Sequence, residues 1–229
     1  MKKLIIIPAY NESGNIVKTI GNIKEFAPDF DYVIINDCSK DNTLEILREN
    51  KFNYINLPVN LGIGGAVQTG YRYAFYHGYD LAVQFDGDGQ HDAKYLHLMA
   101  TKLEESDSDM VIGSRFISKE GFQSSALRRV GIKFFTNLIK LLTGKVITDP
   151  TSGMRMVNRK LLQEFTEEYP KDYPEPESVV KILTKKYKVT EVPVIMNERE
   201  AGESSISMMN SVYYMIKVTI AIIIARLKK

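Results

Sequence analysis

The chain has one cysteine, Cys38, in 229 residues. A single thiol closes no disulfide framework and builds no cysteine-based zinc site. Charge of one sign is not in excess either: 30 Lys and Arg stand against 28 Asp and Glu, a formal net charge of +2. Proteins that coat nucleic acid carry a strongly basic surplus, so nucleic acid is not an expected partner. Internal repeats and low-complexity tracts are missing, and 44% hydrophobic with 25% charged residues is the composition of a globular protein, not a disordered one. The opening apolar run, residues 4–7, stops at Pro8 and is too short for the core of a signal peptide. The expected location is the cytosol or the cytosolic face of a membrane. The length suffices for one sizeable domain with a buried core, or for two very small ones.

What is present is an alternation of short β-rich runs with helical patterns. Strands are expected at 4–7, 32–35, 54–57 and 80–85, and helices at 15–26, 41–50 (with Ser39 or Asp41 as N-cap) and 64–77. Strand–helix alternation implies a parallel sheet covered on both faces, with ligands bound at the carboxyl ends of its strands. Three polar clusters fall at those ends: Pro8-Ala9-Tyr10-Asn11-Glu12, Asn36-Asp37-Cys38-Ser39 and Asp86-Gly87-Asp88-Gly89-Gln90-His91.

Asp86 and Asp88, at i and i+2 of an extended chain, would share a side, where a hard dication such as Mg²⁺ or Mn²⁺ relieves their repulsion. A polar turn with Asp caps for a helix near Asp92 is the plainer alternative. An EF-hand is excluded, because the sixth position from Asp86 is His91 and the twelfth is His97. His91 stands next to the pair as a further contact for metal or ligand, or as an ordinary core histidine. Asp37 suits a base N–H or ribose hydroxyl, or an Asx-turn or cap, and Glu12 is equally open because acidic residues are favoured in a first helical turn. Gly62, Gly64, Gly65 and Gly70 do not make a G-x-G-x-x-G loop, since Val67 stands where glycine is needed. No G-x-x-x-x-G-K-[ST] run exists. The glycines read as a tight turn into a helix whose N-terminus faces the cleft.

Together, PAYNE, NDCSKDNT, NLGIGGAVQTGYRYA, QFDGDGQHD, VIGSRF and DPTSGMRMVNR closely resemble family-2 glycosyltransferases with a GT-A fold, nearest the dolichyl- and polyprenyl-phosphate branch. The resemblance runs from Leu4 to about Ser207 with the motifs in the family's order. It implies an α/β, Rossmann-like and mostly parallel sheet flanked by helices over residues 1–204, and an apolar membrane-associating helix over 205–229. It places Pro8, Tyr10, Glu12, Asp37 and Asp86 at the nucleotide. Asp86 and Asp88 match the DXD pair, and Gln90 matches a further position at a Mg²⁺ or Mn²⁺ site. Cys38 departs from the pattern, where many relatives carry a second Asp. Arg115, Arg155 and Arg199 match phosphate-contacting arginines, Arg115 and Arg199 on the acceptor phosphate and Arg155 in the catalytic set with Asp88. Glu175 and Glu177 match an acceptor-side acidic position. Glu177 is favoured as base or orienting group, although both also suit capping of a helix over 178–186.

Two further segments bear on the acceptor. Over 127–142, Leu127, Val130, Phe134, Phe135, Leu138, Leu141 and Leu142 share a face opposite Arg129, Lys133 and Lys140. That pattern suits an anionic membrane interface or an ordinary core helix. Residues 206–225 are apolar almost all round and would span roughly 30 Å as a helix. Asn210 and Lys217 share a stripe there, and a central Lys costs about 2.5–3.5 kcal/mol in a bilayer. A helix lying on the membrane, or docked on a small membrane protein partner, is therefore expected in place of a span.

The expected activity is inverting transfer of a hexose from a nucleotide-diphosphate sugar, UDP-linked by the resemblance, to polyprenyl phosphate at the cytoplasmic membrane face. Its alternatives are transfer to a hydroxyl of a lipid-linked glycan, or a nucleotide-sugar-binding partner without turnover.

Overall fold

A computed structural model describes residues 1–121, 125–197 and 208–227. In chain order the elements are β1 (Lys3–Ala9), α1 (Ile16–Phe26), β2 (Asp31–Asn36), α2 (Thr43–Glu49), β3 (Tyr54–Asn56), α3 (Gly62–Tyr76) and β4 (Leu81–Gln84). A 3₁₀ turn at Ala93–Tyr95 then leads into α4 (Leu96–Glu105), β5 (Met110–Ser114), α5 (Ala126–Thr143), β6 (Arg155–Asn158) and α6 (Arg159–Glu167). The chain ends with α7 (Pro174–Thr184), β7 (Val189–Pro193) and α8 (Met208–Leu227).

Among the described residues the strands form one seven-stranded sheet in the order β3-β2-β1-β4-β6-β5-β7. β1 to β4 are parallel, and β7 is parallel to β5. β6 runs antiparallel to both of its neighbours, β4 and β5. β1, β2 and β4 carry continuous apolar runs because both faces of the sheet are covered there, while β3 at the edge is only partly buried. Along β1, Leu4 and Ile6 join one core with residues of α3, α5, α6, α7 and α8, while Ile5 and Ile7 join the other with residues of α1, α2 and α4. The sheet is therefore mostly parallel, as expected, with one antiparallel strand that periodicity in the first half does not reveal.

Two helices differ from their expected form. α7 begins at Pro174, not Ser178, because proline is tolerated in a first helical turn, where its missing N–H would have no intrahelical partner. α5 buries Ile132, Phe135 and Ile139 and leaves Val130, Phe134 and Leu141 exposed. Its apolar residues cover most of the circumference, so period alone does not select the core face. The Leu127 side chain lies outside the described residues.

α8 buries Val218, Ile222 and Ala225 in the core and exposes Ile216, Ile220, Ile223, Ile224 and Leu227 on its other side. Lys217 reaches Asp172 at 2.8 Å, with its ammonium over the rings of Tyr173 and Tyr213. Among the described residues no helix is long and apolar enough to cross a membrane. The Asn210 side chain lies outside the described residues.

α3 presses hard against β1. A Cβ added at Gly70 would lie 2.1 Å from Cγ2 of Ile6, a branch fixed in the central strand. Gly70→Ala is therefore expected to lower the unfolding free energy by about 1–3 kcal/mol. The measurement is the urea midpoint at constant m, and an unchanged midpoint would contradict this packing.

Candidate active site

The carboxyl ends of β1 and β2 are latched together. The backbone N–H groups of Asn11, Glu12 and Ser13 donate to Ser39 Oγ (3.0 Å), Thr43 Oγ1 (2.9 Å) and Asp41 Oδ2 (3.1 Å). Asn11 returns the bond through Oδ1, which accepts from the Lys40 N–H at 2.8 Å. Asn11 and Cys38 both have φ near +58°, the left-handed turns that let the two loops face each other. Asp37 is buried, and its Oδ1 accepts from the Leu61 N–H at 2.7 Å, at the entrance to α3. One oxygen of that carboxylate thus serves as a helix cap. Pro8 is buried at the end of β1, Glu12 is half-buried and accepts from Asn15 Nδ2 at 2.8 Å, and Tyr10 stands 43% exposed on the rim.

β4 stops at Gln84, and residues 87–89 turn, with Gly89 at φ +77°. The extended backbone that would put Asp86 and Asp88 on one side is therefore absent, and the two carboxylates meet different elements. Asp86 is partly exposed. Its Oδ1 accepts from Gln84 Nε2 at 3.1 Å, and its Oδ2 lies 3.6 Å from His91 Nε2. His91 is buried, and its Nδ1 accepts from the Asp86 N–H at 2.9 Å, which places the ring proton on Nε2, toward the carboxylate. Asp88 is 6% exposed, accepts from the Gln90 N–H at 3.0 Å, and lines a small polar recess against α1 with Asn15, Lys18, Thr19 and Asn22. Gln90 is half-buried, and its carbonyl accepts from the Asn197 N–H at 2.9 Å.

The donor chemistry here fits a hard divalent ion: carboxylates at Asp86 and Asp88, and a neutral amide at Gln90. Next to Asp86, the buried Oε1 of Gln84 has no hydrogen-bond partner. Among the described residues no three His, Cys, Asp or Glu groups form a metal cage, so the carboxylates here would give at most part of a coordination shell. Mg²⁺ is commonly held in this way, by one or two carboxylates together with substrate phosphates.

Behind Asp86 stands the loop from Thr148 to Gly153. Arg115 grips Asp149 in a two-point pair, Nε to Oδ2 at 2.7 Å and Nη2 to Oδ1 at 2.8 Å, and Nη2 also reaches Thr151 Oγ1 at 3.1 Å. Burial opposes the Arg115 charge, but the Asp149 carboxylate outweighs it, and Asp86 adds to the effect, so its pKa is raised. Glu191 on β7 accepts from the N–H groups of Thr148 (2.8 Å) and Asp149 (3.0 Å); burial pushes its carboxyl up while these bonds pull it down.

Arg155 closes the wall from the other side. It is 0% exposed. Its Nε donates to the Ser152 carbonyl and its Nη2 to the Pro150 carbonyl, both at 2.7 Å. Its Nη1 donates to the Glu175 carbonyl at 2.7 Å and to Ser178 Oγ at 3.0 Å. The guanidinium placed by resemblance among phosphate contacts is thus enclosed behind the site. It ties the loop to the first turn of α7.

Glu175 and Glu177 are two residues apart on a helix, so they diverge by about 200°. The structure brings the Glu175 side chain to the site. Burial pushes its carboxyl up, nearby Arg155 pulls it down, Asp86 adds an upward push, and Gln84 donates to it. Glu177 is half-buried in the same first turn. Arg199 lies outside the described residues. Sequence reading missed Gln84, whose signal was a polar residue closing the apolar strand Leu81–Gln84, and Asp149, which stood unremarked in the DPTSG string.

An α/β sheet that gathers its polar clusters at the carboxyl ends of β1, β2 and β4, with one antiparallel strand bringing a wall against the β4 carboxylate, defines a GT-A-type glycosyltransferase. The chain belongs to Glycosyl transferase family 2, whose profile residues 4–166 match. It is 32% identical over 210 residues to a UDP-N-acetylglucosamine–dolichyl-phosphate N-acetylglucosaminyltransferase of Methanococcus voltae, covering 83% of each chain. Similarity to an undecaprenyl-phosphate mannosyltransferase of Micrococcus luteus is 27% over 216 residues, covering 90% of this chain and 88% of the relative. The fold is that of glucosyl-3-phosphoglycerate synthase from Mycobacterium tuberculosis, solved with Mn²⁺, UDP and phosphoglyceric acid. The TM-score is 0.75 at 16% identity, covering 99% of this chain and 78% of the other.

Gly153 leaves no room beside the carboxylate, since a Cβ there would lie 2.7 Å from Asp86 Oδ2 and 3.0 Å from Gln84 Nε2. Gly153→Ala is expected to weaken divalent-metal-dependent nucleotide-sugar binding by about tenfold, the usual cost of disturbing an outer-shell partner. Calorimetric titration checks this, and unchanged affinity would show that the wall does not orient Asp86.

Proposed function

We propose that this chain moves a hexose from a UDP-sugar to the phosphate of a polyprenyl lipid such as undecaprenyl phosphate, with inversion, at the cytoplasmic face of a membrane. One observation carries the reading: Arg115, fixed in its two-point pair with Asp149, holds the loop that abuts Asp86 at Gly153, and α5 and α8 turn apolar residues outward. The curated relatives support it, since each named above acts on a dolichyl or undecaprenyl phosphate.

In this reading Pro8, Tyr10, Glu12 and Asp37 receive the nucleoside, Asp37 through the carboxylate oxygen not spent on the α3 cap. Asp86, Asp88 and Gln90 would hold Mg²⁺ or Mn²⁺, which when bound offsets the negative charge of the departing diphosphate. A lipid phosphate has a second pKa of about 6 and is mostly dianionic at neutral pH, so it attacks without a general base. Its oxygen forms the new bond to the anomeric carbon from the face opposite the leaving group. The bond to the nucleoside diphosphate breaks, and the electron pair leaves with the diphosphate. Arg115 and Arg199 offset the charge of the acceptor, Glu175 bounds its site beside Gln84 and Asp86, and Arg155 works as a positioning residue behind the wall.

The outward faces of α5 (Val130, Phe134, Leu141) and α8 (Ile216, Ile220, Ile223) form the membrane side. The exposed Arg129, Lys133 and Lys140 flank the α5 face and suit anionic headgroups.

A radiolabelled transfer assay tests the proposal. Incubation with UDP-sugar, Mn²⁺ and polyprenyl phosphate is expected to give an acid-labile, phosphodiester-linked product, and Asp88→Asn to lower kcat about a hundredfold. An acid-stable glycan-linked product would favour the hydroxyl acceptor, and full activity in Asp88→Asn would remove Asp88 from the chemistry.

A further inference from the structure

α8 has two sides with different tasks. Tyr214 stands two residues from the exposed Ile216, about 200° round the helix, so it points away from the outward apolar face. Its ring is held edge-on between Phe135 of α5, with centroids 5.8 Å apart, and Tyr173, the residue before α7, at 4.6 Å. These contacts fix the half-buried hydroxyl at the acceptor end of the site, within electrostatic reach of Arg115, Arg128, Arg155 and Glu175. The hydroxyl makes no hydrogen bond to a described residue. Both ring contacts would be satisfied by phenylalanine, so packing does not account for the oxygen. An O–H donor among guanidinium groups, with no acceptor among the described residues, matches a ligand that brings negatively charged oxygens.

We propose that Tyr214 donates a hydrogen bond to the phosphate of the acceptor, so that the helix whose outer face meets the lipid also completes the acceptor site with its inner face. The inference rests on the reading of the acceptor as a lipid phosphate. It assigns α8 a role in substrate recognition besides attachment. Seating the helix on a membrane and offering the hydroxyl to the phosphate then become one event, because Tyr214 and the exposed isoleucines belong to one rigid element.

Tyr214→Phe keeps both ring contacts and removes only the hydroxyl, which makes it a clean probe. Steady-state kinetics should be run on the full chain with a long polyprenyl phosphate and, separately, with a short water-soluble prenyl phosphate. The expected result is a rise in acceptor KM of about tenfold with both lipids, the scale of one hydrogen bond to a charged group. The KM for the UDP-sugar should stay unchanged, and so should every constant of Tyr213→Phe. An unchanged acceptor KM overturns the proposal. So does a defect confined to the long lipid, which would report membrane seating alone, or a shift in donor KM, which would assign the hydroxyl to the donor. If the wild-type chain transfers sugar to neither prenyl phosphate, the acceptor reading itself fails, and the Tyr214 assignment falls with it.

Discussion

A guanidinium sealed from water must have its donors answered, and Arg155 meets that constraint by drawing three carbonyls and a serine around itself. The carbonyls of Pro150 and Ser152 come from the loop before β6, while the Glu175 carbonyl and Ser178 come from the first five residues of α7. One side chain therefore sets the distance between the two segments that wall the cleft beside Asp86. A lysine would bring the same charge, but its compact ammonium cannot reach four partners in the planar arrangement that the fork provides.

The remaining geometry follows from that tie. With the loop fixed, Gly153 abuts Asp86, and Arg115 holds the same loop through Asp149 from the opposite side. With α7 fixed, Glu175 faces Gln84 and Asp86, and Tyr173 presents its ring to Tyr214 of α8. The site is thus a meeting of charges whose positions are set from behind. Carboxylates at Asp86 and Glu175 repel each other, and Arg155, Arg115 and the Gln84 amide temper that repulsion. The end at β1 and β2 is built differently: its loops are latched by neutral donors and by the Asp37 cap, and it leaves an exposed aromatic rim at Tyr10.

How much of this was legible depends on distance along the chain. The first four strands declare themselves as apolar runs, and the clusters at their ends follow from parallel topology, so Asp37, Asp86 and the β1 loop could be brought together on paper. The antiparallel β6 could not, because its sequence Arg155–Asn158 carries no mark of direction. The choice between Glu175 and Glu177 turned on where α7 begins. A start at Ser178 leaves both in a loop, whereas a start at Pro174 sends them to different sides. The burial of Arg155 was hidden for a related reason, since its partners lie in a loop and a helix turn whose approach is a tertiary event. On α5 and α8 apolar residues are too plentiful for the period to select a face, and the packing of α8 against α5 and α7 decided which isoleucines remain outside.

The dependence of the cleft on the enclosed guanidinium is tested most directly by hydrogen exchange, followed by mass spectrometry, on Arg155→Lys. The account predicts faster exchange confined to residues 149–154 and to the first turn of α7, with β1 to β3 as protected as in the unaltered protein. Protection unchanged in those two segments, or lost evenly across the whole sheet, would contradict it.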